Sequence, residues 1–464
     1  MKKTAIILGA GITGLRIGEY LSAGGLNVTV VEKNESIGGL SGSFNYKDFT
    51  LDYGPHKFYT QLPGIYNDFK SIIGEKEDLV IKKKNSIRLL DKYFDFPVRL
   101  SQLMTNISPI LASKIMIDFV KAQIIKKKIV SYEDYFIKGF GRRGYSLLFE
   151  GFAEKVWGDP KKISEELARK RSPVSNIFDV IKTALIKNDQ NMSAEYFHYP
   201  KNGMNVLCEN LAFKIIKSGG KIIFNSKVIS VETEKKVVKS VKVKIKNEIK
   251  NLSCDILVST IPIKELSAII FPSLPEEVLA AAKRLKYRSL IISYIFIKKE
   301  KVLKDNWIFF PEKEFCFNRV AEQKSFSPFM GPKNKTVITA EIPCDPDSKI
   351  YKESDNFVRS VIVKDLEKAG IAKDEEIYDF FTKRVNHVYP VYEIGYKKNL
   401  FFVLKELDKM KGIFTVGRLG LFNYNNIDHC LDMAKITSEI ILKNNGINEW
   451  KEARKYFESY RIVD

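Results

Sequence analysis

The sequence predicts an α/β fold: a parallel strand–helix–strand unit at the start, with helical and antiparallel-sheet insertions further on. Three observations carry that reading. Residues 4–8 form an apolar strand run, pass through a glycine turn into helical spacing over 15–23, and re-enter an apolar run at 27–32; such alternation makes a parallel unit. From about residue 71 to 190 helical spacing dominates, whereas 219–262 returns to strands, with 255–260 a buried one. Residues 285–343 then read as several aromatic-containing strands, 354–370 as a helix, 412–416 as a further buried strand, and 428–442 as a helix with Leu431, Ala434, Ser438 and Ile441 on one face.

A chain of 464 residues and 53.2 kDa exceeds one simple core. The pattern implies one discontinuous nucleotide-binding domain made of 1–70, 195–262 and 410–464. A mainly helical substrate or cap region occupies 71–194, and a sheet-containing substrate domain occupies 263–409. The longest lipid-like stretch, 107–130, is interrupted by Pro109, Lys114, Asp118 and Lys121, so it is too polar to span a bilayer. Its apolar residues Ile110, Leu111, Ile115, Phe119 and Val120 follow helical spacing, which favours a helix packed on the core. A helix lying on a membrane surface, with Lys126-Lys127-Lys128 after it, stays open as the alternative.

Lys and Arg total 76 against 56 acidic residues, a formal charge of +20 that favours anionic partners. No helix-turn-helix, zinc-finger or RNA-binding signature accompanies the charge, so nucleic acid is not the expected partner. The lysines are spread, as in Val241-Lys242-Val243-Lys244-Ile245-Lys246, a strand with one solvated basic face. Cys208, Cys254, Cys316, Cys344 and Cys430 lack the spacing of a disulfide framework or zinc site, which points to a reducing cytoplasm and no metal. The immediate entry into a strand leaves no room for a signal peptide.

Gly9-Ala10-Gly11-Ile12-Thr13-Gly14 lies between the first strand and the first helix. Glycines there permit a tight turn and let backbone N–H groups approach a pyrophosphate at the helix start. Glu32 ends the second strand, placed to accept hydrogen bonds from a ribose.

Residues 32–41, Glu32 to Ser41 with Gly38-Gly39 between, resemble the acid-to-GG stretch of glutathione-reductase-type flavoproteins, including the amine oxidases. The resemblance implies FAD bound by a Rossmann domain of that type, with Lys33, Gly39, Leu40, Ser41 and Val228 joining Gly9, Gly11, Thr13, Gly14 and Glu32 in the cofactor set. Gly54-Pro55-His56-Lys57-Phe58-Tyr59-Thr60 looks like the GPH-x-F-x-T segment of UDP-galactopyranose mutases, where the His lies beside the flavin. Lys155-Val156-Trp157-Gly158 resembles a stretch shared by those mutases and protoporphyrinogen-oxidase-like proteins, and Arg171-Ser172-Pro173-Val174 follows at about the mutases' spacing, with Arg169 one turn away. Residues 306–311, Phe317-Asn318-Arg319 and Phe326-Ser327-Pro328 resemble the eukaryotic-type mutase segment whose Arg grips a nucleotide diphosphate.

Residues 417–428 align without a gap on the bacterial mutase motif GRxGxxxYxDMD. That similarity implies Gly417 and Arg418 at the FAD phosphate or ribityl side, Tyr424 at the substrate phosphate, and Asn426-Ile427 at the flavin's pyrimidine edge, with a helix from Asp428 aimed at it. Taken together the chain resembles the FAD-dependent amine oxidase and protoporphyrinogen-oxidase-like superfamily, nearest in its motifs to the mutases. The activity implied is interconversion of pyranose and furanose forms of a nucleotide-linked sugar through the N5 atom of reduced FAD, with an external reductant, and with His56, Arg171, Arg319 and Tyr424 acting on substrate. The alternative is a net oxidoreductase passing hydride from substrate to flavin. Departures from the mutase pattern are Ser175 in place of an arginine, Ile291 after Tyr287-Arg288-Ser289-Leu290, and Asn426-Ile427 in place of Asp-Met.

Overall fold

The structure, a computed structural model, describes residues 2–98, 100–171, 195–444 and 446–462; Pro173, Val174 and Ser175 lie outside the described residues. Five parallel strands form the nucleotide-binding sheet in the order Ile413–Thr415, Ile256–Ser259, Thr4–Leu8, Asn27–Val31, Lys221–Ile223. They come from three distant stretches of the chain. Alternate residues face opposite ways along a strand. Ala5 and Ile7 therefore join Leu15, Leu211, Ile215, Leu431 and Ala434 from helices Ile12–Ala23, Asn205–Lys217 and Ile427–Leu442. Ile6 and Leu8 instead meet Val231, Val241 and Val243 of an antiparallel sheet on the other face. In that sheet Val237–Ile245 buries its valines at 241 and 243 and exposes Lys242 and Lys244, the alternation read from the sequence.

A second, seven-stranded sheet runs Ile377–Pro390, Tyr287–Ile297, Thr336–Cys344, Arg319–Glu322, Trp307–Phe309, Asn85–Leu89, Lys92–Asp95. Its central strands, Tyr287–Ile297 and Thr336–Cys344, are buried at every residue because both faces are covered. Ile291, Ile295 and Ile338 pack on Val358, Ile362 and Leu366 of helix Asp355–Lys368, while Leu290, Ile292, Tyr294 and Phe296 pack on Phe49 and Leu51 of the hairpin Ser43–Tyr46/Phe49–Asp52.

Two expectations need correction. The helical reading from residue 71 fails over 78–95, which forms strands Asp78–Lys82, Asn85–Leu89 and Lys92–Asp95. The last two are a hairpin closed by Leu90-Asp91, both at positive φ, a turn geometry matched to strand twist. Helix Pro109–Ile124 is real but is not simply core-packed: Ile115, Phe119 and Ala122 are buried, whereas Ile110 and Val120 face solvent. Among the described residues no helix is long and apolar enough to cross a membrane.

Asp52 ties the seven-stranded sheet to the start of helix Asn205–Lys217, which packs on the parallel sheet. Its buried carboxylate accepts from Ser43 Oγ (2.6 Å), Tyr199 Oη (2.6 Å) and the Met204 N–H (3.4 Å). Its own N–H donates to Gln323 Oε1 (3.0 Å) and its carbonyl accepts from Tyr294 Oη (2.7 Å). Burial raises the carboxyl from 3.8 to about 6 despite those donors. A raised folded-state pKa gives stability that is present below about pH 4 and lost as pH climbs through about 6. Asp52→Asn should therefore flatten the pH dependence of denaturant stability in that window by about 3 kcal/mol. An unchanged slope would show that Asp52 ionises as it does in water.

Candidate functional site

The first turn of the parallel unit is held by backbone and side-chain bonds that leave its helix start open. Gly9 N–H donates to Val31 O (2.9 Å), Gly38 N–H to Ala10 O (2.8 Å), and the Glu32 carboxylate accepts from Ala10 N–H (2.8 Å) and Asn34 N–H (2.9 Å). Glu32 is thereby fixed at the strand end. A Cβ added at Gly11 would meet nothing within 4 Å, so the N-terminus of helix Ile12–Ala23, with its unpaired first-turn N–H groups, opens on free space. Gly39, Leu40 and Ser41 form a single tight turn, and a Cβ added at Gly39 would lie 3.4 Å from the Gly11 Cα. Lys33 is exposed beside Glu32, and Val228 is half-buried in strand Ser226–Glu234, whose Ser226 N–H donates to Glu32 O (2.9 Å).

The return segment meets this turn. Gly417 has φ +84, and the position of its missing Cβ is 3.1 Å from Thr13 Oγ1, so a larger residue would be both strained and crowded. Helix Ile427–Leu442 starts one residue earlier than the sequence pattern suggested, because Asn426 N–H donates to His429 Nδ1 (3.1 Å) at its first turn. Ile427 and Asp428 are buried there. Burial raises the Asp428 carboxyl to about 6, opposed by the His429 N–H and the Thr60 hydroxyl, so the 54–60 and 417–428 segments touch.

Beside that junction lies a basic and aromatic cluster. Tyr424 stacks on Tyr389 with ring centroids 5.7 Å apart and planes 5° from parallel. Arg171 donates to the Tyr424 hydroxyl, and its guanidinium carbon lies 5.0 Å from the Tyr424 ring and 5.3 Å from Trp157. The Arg418 guanidinium carbon lies 4.7 Å from the Tyr424 ring and 5.1 Å from Tyr389. Cations near aromatic rings gain from the ring quadrupole. Neighbouring Arg169 instead pairs with Glu165 at the surface. Of the two arginines, it is Arg171 that lies against Tyr424 and Trp157.

Arg319 stands at the end of strand Arg319–Glu322 and forms a two-point pair with Glu341 across the sheet: Nε to Oε2 2.9 Å, Nη2 to Oε1 2.8 Å. Glu341 is buried, which raises its carboxyl, while Arg319 opposes that rise. Glu341 also fills the place beside Gly54 where a Cβ would stand, 2.3 Å from Oε1, so the Gly54-Pro55-His56 turn is pressed onto the Arg319 pair. His56 keeps some exposed area, yet surrounding protein first, then Arg319 and Arg418, lower its pKa to about 4. It is a neutral imidazole at physiological pH.

Several contributors escaped the sequence reading. Tyr389 and Glu341 sit on long sheet strands whose relevance depends on register. Tyr392 accepts from Tyr424 N–H (2.9 Å) and donates to Asn423 Oδ1 (3.2 Å), and Lys170 donates to the same Asn423 oxygen (3.0 Å), so both position the Tyr424 loop. The motif residue Lys155 is structural: its ammonium donates to the carbonyls of Phe310 (2.7 Å), Glu312 (2.6 Å) and Phe317 (3.0 Å), anchoring the approach to Arg319. Arg288 likewise donates to the Val156 carbonyl (3.2 Å) and pairs with Asp345 (2.6 Å).

A family model described as flavin containing amine oxidoreductase matches residues 12–403. A protein named "Probable UDP-galactopyranose mutase" from Klebsiella pneumoniae is 24% identical over 220 residues, 45% of this chain; the match spans 53% of that relative, about half its length. A crystal structure of reduced UDP-galactopyranose mutase superposes with a TM-score of 0.84 at 19% identity, covering 99% of this chain and 100% of the other. A wild-type putrescine oxidase bound to putrescine superposes at 0.62 with 13% identity, covering 96% and 99%. These likenesses show the fold. The family's cofactor is FAD, and this chain fits it: the open Gly11 cradle suits a pyrophosphate, Glu32 a ribose, and the buried Arg418 Nε is a donor without a hydrogen-bond partner among the described residues.

The His56 environment is directly measurable. An NMR titration should place its midpoint near 4, well under the ordinary 6.5, and Arg319→Gln should move it upward by removing one like charge. With a lowered folded-state pKa, the ring's contribution to stability is full above about pH 6.5 and lost as pH falls toward 4. A midpoint at the ordinary value in the wild type would mean the ring is open to bulk water.

Proposed function

The chain belongs to the flavin-containing amine oxidoreductase family, and from that premise we propose that it is a redox-neutral isomerase interconverting pyranose and furanose forms of a nucleotide-diphosphate sugar. One observation carries the reading: Arg171 and Arg418 bracket Tyr424, and Arg319, at the start of its strand, stands near His56 beside them. The two guanidiniums of Arg171 and Arg319 with the Tyr424 phenol suit a diphosphate and are poorly suited to an apolar or cationic amine substrate. Likeness to the mutases in fold and motif supports the same choice.

Reduced FAD, when bound, supplies an electron-rich centre able to displace the nucleotide diphosphate from the anomeric carbon. The chain's residues do the rest. Arg171 and Arg319 neutralise the diphosphate as negative charge builds on it, and Glu341 holds Arg319 at a fixed angle so that little reorganisation is needed. Tyr424 Oη, held by Arg171, donates to a phosphate oxygen. His56, neutral at working pH, accepts or returns a proton at a sugar hydroxyl as the ring opens and recloses. The flavin's electrons come from an external reductant.

The second reading is a net oxidoreductase, favoured by the family's description and by the putrescine oxidase likeness. A panel of UDP-, dTDP-, CDP- and GDP-sugars added to dithionite-reduced enzyme separates the two. Isomerisation without consumption of an acceptor is the expected result; bleaching of oxidised flavin by substrate alone, one equivalent per site, would establish oxidation instead.

The arginine assignment has its own test. Arg171→Ala and Arg319→Gln should each weaken nucleotide-diphosphate binding by roughly 2–5 kcal/mol in calorimetry. Arg319→Gln also strands the buried Glu341 and should lower stability by about 3–5 kcal/mol. Adding Glu341→Gln should restore much of that stability without restoring binding, and recovery of binding in the double variant would remove Arg319 from the substrate site.

A further inference from the structure

Helix Pro109–Ile124 presents two apolar faces, and only one is covered by the described residues. Ile115, Phe119 and Ala122 pack toward helix Tyr132–Tyr145. The orientation is fixed by polar clamps: Lys138 Nζ donates to Ala122 O (2.8 Å) and Gln123 O (3.0 Å), Gln123 Nε2 donates to Lys138 O (2.7 Å), and Asp118 pairs with Arg143 (2.7 Å). At 3.6 residues per turn, Ile110, Ile117, Val120 and Ile124 share an arc of roughly 80° centred opposite the buried one. They are 67%, 53%, 50% and 75% exposed, and Met116 borders them. The stripe is about 21 Å long at 1.5 Å per residue.

A helix that is apolar on both sides needs a nonaqueous neighbour on each. The charges around the open face identify the neighbour. Lys114 and Lys121 lie along one edge of the stripe and Lys126, Lys127 and Lys128 follow the helix, Lys127 paired with Asp134 (2.6 Å); the five lysines over 107–130 meet a single acid in that span, Asp118, which Arg143 engages. A second copy of this face would set lysines against lysines with no free acid on it to answer them. An anionic lipid surface answers both features, taking the isoleucines below the headgroups and the lysines among the phosphates.

We propose that helix Pro109–Ile124 docks this enzyme, peripherally and reversibly, on a membrane surface rich in anionic lipid. The docked helix is separated from the substrate cluster by one layer: Tyr132, on the helix beneath, lies 5.5 Å from Trp157 between ring centroids, and Trp157 contacts Arg171. Docking therefore brings the substrate side of the protein toward the bilayer.

The test is flotation of the FAD-loaded full chain with vesicles of phosphatidylcholine alone or mixed equally with phosphatidylglycerol. The wild type should float with the mixed vesicles, weakly with the neutral ones, and less as salt rises. Ile117→Glu/Ile124→Glu should lower recovery at least tenfold, and Lys114→Glu/Lys121→Glu several-fold, with flavin absorbance and melting temperature unchanged. A dye sensitive to its surroundings on Val120→Cys should shift to the blue on mixed vesicles. No flotation of the wild type, undiminished flotation of the isoleucine variant, or no dye shift each overturns the proposal. A wild-type dimer that the isoleucine variant converts to monomer in light scattering, with no flotation, would assign the face to a second copy and overturn it equally.

Discussion

The buried carboxylate of Asp52 is the constraint on which the site's geometry depends. It gathers donors from Ser43, Tyr199 and Met204, while its own peptide is held by Gln323 and by Tyr294 of the seven-stranded sheet. Met204 starts helix Asn205–Lys217, which packs on the parallel sheet, so Asp52 links that helix layer to the seven-stranded sheet. Two residues further on, Gly54 presses on Glu341. The position of His56 relative to Arg319 thus follows from one satisfied buried group rather than from a mobile loop, and preorganisation of this kind is what lets fixed dipoles and charges act on a reacting molecule.

Glu341 is the second element of that design. Guanidiniums crowded around Tyr424, Tyr389 and His56 would repel one another in a site partly closed to water, and the protein supplies one buried carboxylate, paired at two points with the arginine nearest His56. The remaining positive charge is spread over aromatic faces, where it is stabilised without being neutralised. The cluster keeps a net positive character while His56, whose pKa is lowered to about 4, stays unprotonated.

Much of the cofactor half was legible in the sequence because its signals are local. The turn at residues 9–14, the acid at 32 and the glycine at 417 are each dictated by backbone geometry within a few residues, and strand and helix periods frame them. Tyr389, Glu341 and Tyr392 were not legible, because nothing local distinguishes them from other strand residues; their importance arises when register sets Arg319 opposite Glu341 and when Tyr392 catches the Tyr424 backbone. The strands at 78–95 were missed for a related reason. Their alternation is short and lysine-rich, and the partners that stabilise them, Tyr196–Pro200 and Trp307–Phe309, lie more than a hundred residues away.

Helix Pro109–Ile124 marks a different limit. Periodicity reports that apolar residues share a face, but it does not say what lies against that face. The spacing of Ile115 and Phe119 and that of Ile110, Ile117 and Ile124 are equally helical, and only the position of helix Tyr132–Tyr145 separates a protein-covered side from an open one. The same helix that packs on helix Tyr132–Tyr145 therefore presents a second apolar surface outward, with lysines beside it. A protein-covered face and an exposed apolar face are the two sides of one helix, held in a single orientation by Lys138, Gln123 and the Asp118–Arg143 pair.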